Sequence, residues 1–201
     1  VIKHQYRLLR YELADLQHYT RKVAPLDVDN SPGRLIKEHF QALESEFTRH
    51  GGHANNQLPG ATYEAVLYDA MVQAGIPPEC IHMAKRNVLK GDADFLVGNP
   101  IREQSSIILA AKTSLRERWK QWYWDYAALR FIERLPIETH FYGLFAREHP
   151  QWTDQQNIDL AARTTTTLNY LVSNITCVTT KDESRTNKLF DEIFMLTKGT
   201  L

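Results

Sequence analysis

The sequence changes its period near residue 90, and that change constrains the fold more than any other feature. Before it, apolar residues recur at three- and four-residue steps. After it, short β-rich runs alternate with helical stretches. Gly91-Asp92-Ala93-Asp94 leads into Phe95-Leu96-Val97 and out through Gly98-Asn99-Pro100. That is a short strand entered through acids and left through a turn. Ser106 to Lys112 reads as a second strand, His140 to Ala146 as a third and Ile175 to Thr179 as a fourth. A long helix is predicted from about Leu115 to Arg134, with Leu115, Trp119, Trp122, Tyr126, Leu129 and Glu133 on one line. Pro136 follows it. Thr153 to Val172 is also predicted helical, although four consecutive threonines from Thr164 lower the propensity. Thr186 to Leu196 closes the chain as a helix. Strands alternating with helices beyond residue 60 predict an α/β layer fold, a mixed central sheet flanked by helices.

The first 60 residues read as a separate helical part. Tyr6, Leu9, Leu13, Leu16 and Tyr19 place a helix over residues 1–24, ended by Pro25. Ser31-Pro32 has the form of an N-cap followed by proline at the first helical position. A second helix then runs from about Arg34 to Arg49, with Leu35, Ile36, Phe40, Leu43 and Phe47 as its stripe. Gly51-Gly52 stops it, and His53 to Gly60 is a polar linker. The division is therefore 1–60 for the helical region and 61–201 for the core. A third helix is predicted from Thr62 as cap to Gly75. Glu64 falls near its apolar face, and a first-turn carboxylate interacting with the helix dipole is the plain explanation for it.

Composition narrows the class. Apolar residues make up 43% and charged residues 24% of 201 residues, as in a soluble globular protein. No apolar run reaches the roughly 20 residues of a membrane span, and no basic-then-apolar leader opens the sequence. Val1 stands where a methionine would, so upstream residues are expected. Lys plus Arg number 24 and Asp plus Glu number 24. That balance argues against a protein that coats nucleic acid non-specifically. It is compatible with an enzyme that concentrates positive charge on one surface. Cys80 and Cys177 sit in unrelated segments and are expected to be reduced thiols in or near the core.

The chemistry-bearing positions lie at strand ends. Hydrolysis of a phosphodiester needs a hard divalent cation on oxygen ligands, an activated water, and a cation to steady the developing charge. Asp94 opens one strand and Lys112 closes the next. Adjacent strands would bring the two together, although a solvated aspartate and lysine at two strand ends is a common arrangement. Asp92, two residues earlier in the same loop, competes with Asp94. The unbroken apolar run after Asp94 favours it.

The stretch Ala110-Ala111-Lys112-Thr113-Ser114-Leu115-Arg116-Glu117-Arg118-Trp119-Lys120-Gln121 resembles the active-site strand and helix of type II restriction endonucleases of the PD-(D/E)xK superfamily. The resemblance is to the branch that recognises CCGG-like or CCNGG-like sites, and it covers residues 91–125. The usual acid two residues before the lysine is replaced by Ala110. In this branch the acid migrates to a helical position thirteen residues after the lysine, which here is Asp125. Glutamate is more frequent there. Ala93 stands where proline is often found.

The resemblance implies a restriction-endonuclease-like fold and a Mg2+-dependent nuclease acting on double-stranded DNA. Asp94 and Asp125 would hold the metal, Lys112 would steady the water or the phosphate, and Glu64 would support the site. Arg116, Glu117 and Arg118 would read G·C pairs, since an arginine fork matches guanine acceptors and a carboxylate accepts from the cytosine amino group. Read alone, these three are an ordinary charged helical turn. A palindromic target implies a homodimer, and a restriction-modification role implies the prokaryotic cytoplasm. The alternatives are a repair or recombination nuclease of the same superfamily and a catalytically inactive DNA-binding module. Trp119, Trp122, Tyr123 and Trp124 are expected to pack in the core rather than stack on bases.

Overall fold

The computed structural model describes residues 13–23, 31–49, 58–83, 94–99, 104–112, 125, 127–132, 134, 139–145, 175–179 and 182–198. The expected helices before residue 13 and over 153–172 lie outside them. So do Trp119, Trp122, Tyr123 and Trp124.

Helix α1 is Leu13–Val23, α2 is Pro32–Arg49 and α3 is Leu58–Gln73. A single 3-10 turn, Pro78–Cys80, leads into strand β1, Ile81–Met83. The remaining strands are β2 (Phe95–Asn99), β3 (Gln104–Lys112), β4 (His140–Phe145) and β5 (Ile175–Thr179). Helix α4, Glu183–Lys198, follows. The chain is thus α/β, with one mixed five-stranded sheet in the order β1-β2-β3-β4-β5. β1, β2 and β3 are successively antiparallel, and β3, β4 and β5 are parallel.

Several boundaries depart from the sequence pattern for identifiable reasons. β1 was not expected: three residues, Ile81-His82-Met83, are too few to show alternation. β2 continues beyond Val97. A register shift between Val97 and Gly98 lets Gly98 and Asn99 resume pairing with Ser105 and Gln104. The bulge absorbs what the sequence presents as a turn. α3 begins at Leu58 rather than Thr62, because Pro59 fits a first helical turn. Thr62 is therefore a buried interior residue and not the cap.

The sheet is covered on both faces. Phe95, Val97, Ile107, Leu109, Tyr142, Leu144 and Val178 alternate along their strands onto one face. There they join Leu35, Ile36, Phe40 and Leu43 of α2, Val66, Leu67 and Met71 of α3, and Leu189, Phe190 and Ile193 of α4 in one core. Those four residues of the α2 stripe are thus covered within the chain. Phe40 meets Tyr63 edge-on, with ring centroids 5.3 Å apart. Ile108, Ala110 and Phe141 alternate onto the opposite face and are also buried. Cys80 is buried too, and burial followed by the charge of Glu79 pushes its thiol up. Among the described residues no helix is long and apolar enough to cross a membrane.

α2 and α4 meet at their first turns. Ser31 caps α2 as the sequence suggested: Leu35 N donates to Ser31 O at 2.9 Å, and Arg34 N to Ser31 Oγ at 3.4 Å. Ser31 Oγ in turn donates to Glu183 Oε1 at 3.1 Å, and Gly33 N donates to Asn187 Oδ1 at 2.7 Å. A Cβ on Gly33 would stand 2.7 Å from Glu183 O and 2.9 Å from Asn187 Oδ1. Gly60, also in a helix, has nothing within 4 Å of such a Cβ. Gly33→Ala should therefore destabilise the protein by about 1–3 kcal/mol through forced separation of the two helices. Gly60→Ala should stabilise it by about 0.5–1 kcal/mol. Urea denaturation distinguishes them, and equal effects would mean that the α2–α4 approach is looser than described.

Candidate active site

The end of the sheet where β3 finishes carries the expected chemistry. Asp94 immediately precedes β2 and is fastened to β3 twice. Its amide donates to Leu109 O at 2.9 Å. Its carboxylate Oδ2 accepts from the amide of Ala111 at 2.6 Å. A charge-assisted bond to backbone of that length fixes the side chain in place. Ala111 is followed by Lys112, the last residue of β3, which pairs with Phe145 of β4. The fold thus brings Asp94 and Lys112 to the same end of neighbouring strands. Asp94 is half-buried, so it is neither lost in the core nor fully solvated.

Asp125 lies in the connection between β3 and β4. β3 and β4 are parallel, so the chain must return from the Lys112 end of β3 to the His140 end of β4. Within that return the described residues are helical at Asp125 and over 127–131. The Arg130 guanidinium carbon lies 5.0 Å over the Phe141 ring, and Arg130 Nη2 donates to Thr139 O at 3.2 Å. Asp125 comes five residues before Arg130, about 7.5 Å of helical rise toward the Lys112 end. It precedes Ala128 and Leu129, both buried, by three and four residues and so shares their sheet-facing stripe. It is only 9% exposed. Ala110, where the superfamily pattern has its acid, is fully buried on the sheet face below.

Glu64 lies on α3. The short connection 74–80, turned by Gly75 at φ 87°, joins the end of α3 to the start of β1. β1 starts opposite Val97 and ends opposite Phe95, next to Asp94. α3 packs against β3, the strand that carries Lys112. Because α3 starts at Leu58, Glu64 is half-buried in its second turn, and no acid occupies the first. A helix-dipole role falls off within the first turn and does not account for it.

Asp92, Arg116, Glu117 and Arg118 lie outside the described residues. Among those described, no group of three or more His, Cys, Asp or Glu side chains stands ready to hold a metal ion. A magnesium site does not require one: Mg2+ is typically held by one or two carboxylates and completes six ligands with waters and phosphate oxygens. Aspartate carboxylates such as those of Asp94 and Asp125 are oxygen donors of the type Mg2+ takes. Tyr142 is not part of the site. It is buried on the helix-packed face, where burial and then the Glu192 carboxylate push its phenol up. Sequence reasoning missed the Ala111 amide as the group that orients Asp94, and no side-chain motif could have revealed it. No protein-family model matches the chain, and no curated protein sequence matches it.

The bond to Ala111 makes a separable prediction. Asp94→Ala leaves a part-buried amide donor without its partner and should cost about 1–3 kcal/mol. Asp94→Asn keeps an acceptor there and should cost less than half as much. Equal losses in urea denaturation would mean that the carboxylate charge, and not the bond, holds β2 to β3.

Proposed function

We propose that this chain is a Mg2+-dependent, site-specific endonuclease of double-stranded DNA, of the type II restriction kind. One observation supports it above the others: the carboxylate of Asp94 is pinned at 2.6 Å to the amide that precedes Lys112. Three antiparallel strands followed by two parallel ones, with a helix crossing back between β3 and β4, suit the restriction-endonuclease-like arrangement. The resemblance over residues 91–125 supplies the reaction class.

In this reading Asp94 and Asp125 hold the metal, which when bound lowers the pKa of an attacking water and polarises the scissile phosphate. Lys112 steadies the attacking oxygen and the charge that builds on phosphorus. The water oxygen bonds to phosphorus, one ester P–O bond breaks, and the departing sugar oxygen takes up a proton. Glu64 orients a water from the α3 side. Asp125, carried over the face above Ala110, stands in for the acid missing from that position. Arg116 and Arg118 read guanine edges and Glu117 reads cytosine, each good bidentate pair being worth about 1–3 kcal/mol of discrimination. The target is a palindromic site containing G·C pairs, and the active form is a homodimer in the prokaryotic cytoplasm. The outer faces of residues 1–60 serve dimerisation or clamp the duplex.

The test is digestion of mixed plasmid DNA with Mg2+. The wild type should give discrete fragments, and Lys112→Ala and Asp125→Ala should give none while still binding the duplex. Glu117→Ala should blur or abolish the fragment pattern. Full cleavage by Lys112→Ala would remove the catalytic assignment. Full cleavage by Asp125→Ala alone would shift the second ligand to Asp92 or Glu64.

A further inference from the structure

We infer that helix α1 is a polar-latched strap that lifts from α2 and α3 as a unit while the sheet core stays folded. The inference is independent of the nuclease reading.

The contact between α1 and α3 is built around one buried carboxylate. Asp69 of α3 is 6% exposed. Its Oδ1 accepts from Gln17 Nε2 and, at 3.1 Å, from Arg21 Nη2, both on α1. Its Oδ2 is buried and has no hydrogen-bond partner among the described residues. A buried carboxylate oxygen without a donor is a standing penalty on the closed state. Lifting α1 removes that penalty, because water then reaches Asp69. Gln17 and Arg21 recover hydration in the same step. Arg21 is already half in solvent, with 48% of its side chain exposed.

The buried apolar anchorage of α1 is small among the described residues. Among the described α1 side chains, Leu16 and Thr20 are buried and Tyr19 is partly buried against the core. The Thr20 hydroxyl donates back to Gln17 O within α1, so it travels with the strap. By contrast, α3 places Tyr63, Val66, Leu67, Ala70 and Met71 in the core. Breaking an apolar contact of that kind returns no hydration. Local opening follows the elements with few buried apolar contacts, and α1 is such an element.

Native-state hydrogen exchange on the full chain, read by mass spectrometry, tests this. An isolated 11-residue helix is marginal in water, so α1 unravels once lifted, and its amides should exchange about tenfold or more faster than those of α3 and β3, with a denaturant dependence well below that of global unfolding. Leu16→Ala should speed α1 further and leave α3 and β3 unchanged. The double substitution Gln17→Leu with Asp69→Leu should replace the latch by apolar contact and slow α1 by a similar factor. If the double variant does not fold, Leu16→Ala alone decides. Equal protection of α1 and β3 in the wild type, or a Leu16→Ala effect that moves all three elements together, would overturn the inference.

Discussion

β3 has to satisfy two faces and two unlike edges at once, and the rest of the molecule follows from that. One edge runs antiparallel to β2 and the other runs parallel to β4. An antiparallel partner can return through a short turn, but a parallel one needs a crossover. Arg130 of the crossover lies over Phe141 on one face, and the helices α2, α3 and α4 cover the other. A strand buried on both faces reads as the continuous apolar run Ile107-Ile108-Leu109-Ala110-Ala111. Its first charged residue after that run is Lys112, the last residue of the strand. Asp94 enters its own strand at the same end, and the Ala111 amide fixes it there. The juxtaposition of an acid and a lysine is thus a consequence of how the sheet is packed.

Four of the five strands and all four labelled helices were legible in the sequence, because their periods are long enough to be read. β3 and β5 are unbroken apolar or β-branched runs. α2 carries its cap and proline in the sequence as Ser31-Pro32. The start of α3 was misplaced because Leu58-Pro59-Gly60 looks like loop punctuation, yet proline and glycine are both tolerated in a first helical turn. β1 was invisible because its three residues gain their strand conformation from pairing with β2, a tertiary effect. The same holds for Gly98, which a bulge keeps inside the sheet.

The candidate site was legible residue by residue but not in its geometry. Asp94 and Lys112 could be named from strand ends, whereas the backbone bond that orients Asp94 could not. Asp125 could be named only through a resemblance. The parallel pairing of β3 with β4 gives it a physical reason to lie over the sheet, since the return helix must pass there. For Glu64 the earlier helix start changes only its position, from the first turn of α3 to the second.

The central claim is that Asp94 is the carboxylate through which this sheet end holds a divalent cation. Electron paramagnetic resonance of Mn2+, a hard cation that accepts the same oxygen ligands, measures it directly in the presence of duplex DNA. Wild type and Lys112→Ala should both immobilise Mn2+. Asp94→Asn, with an unchanged circular dichroism spectrum, should leave it free. Equal Mn2+ binding by folded Asp94→Asn would contradict the account and place the cation elsewhere.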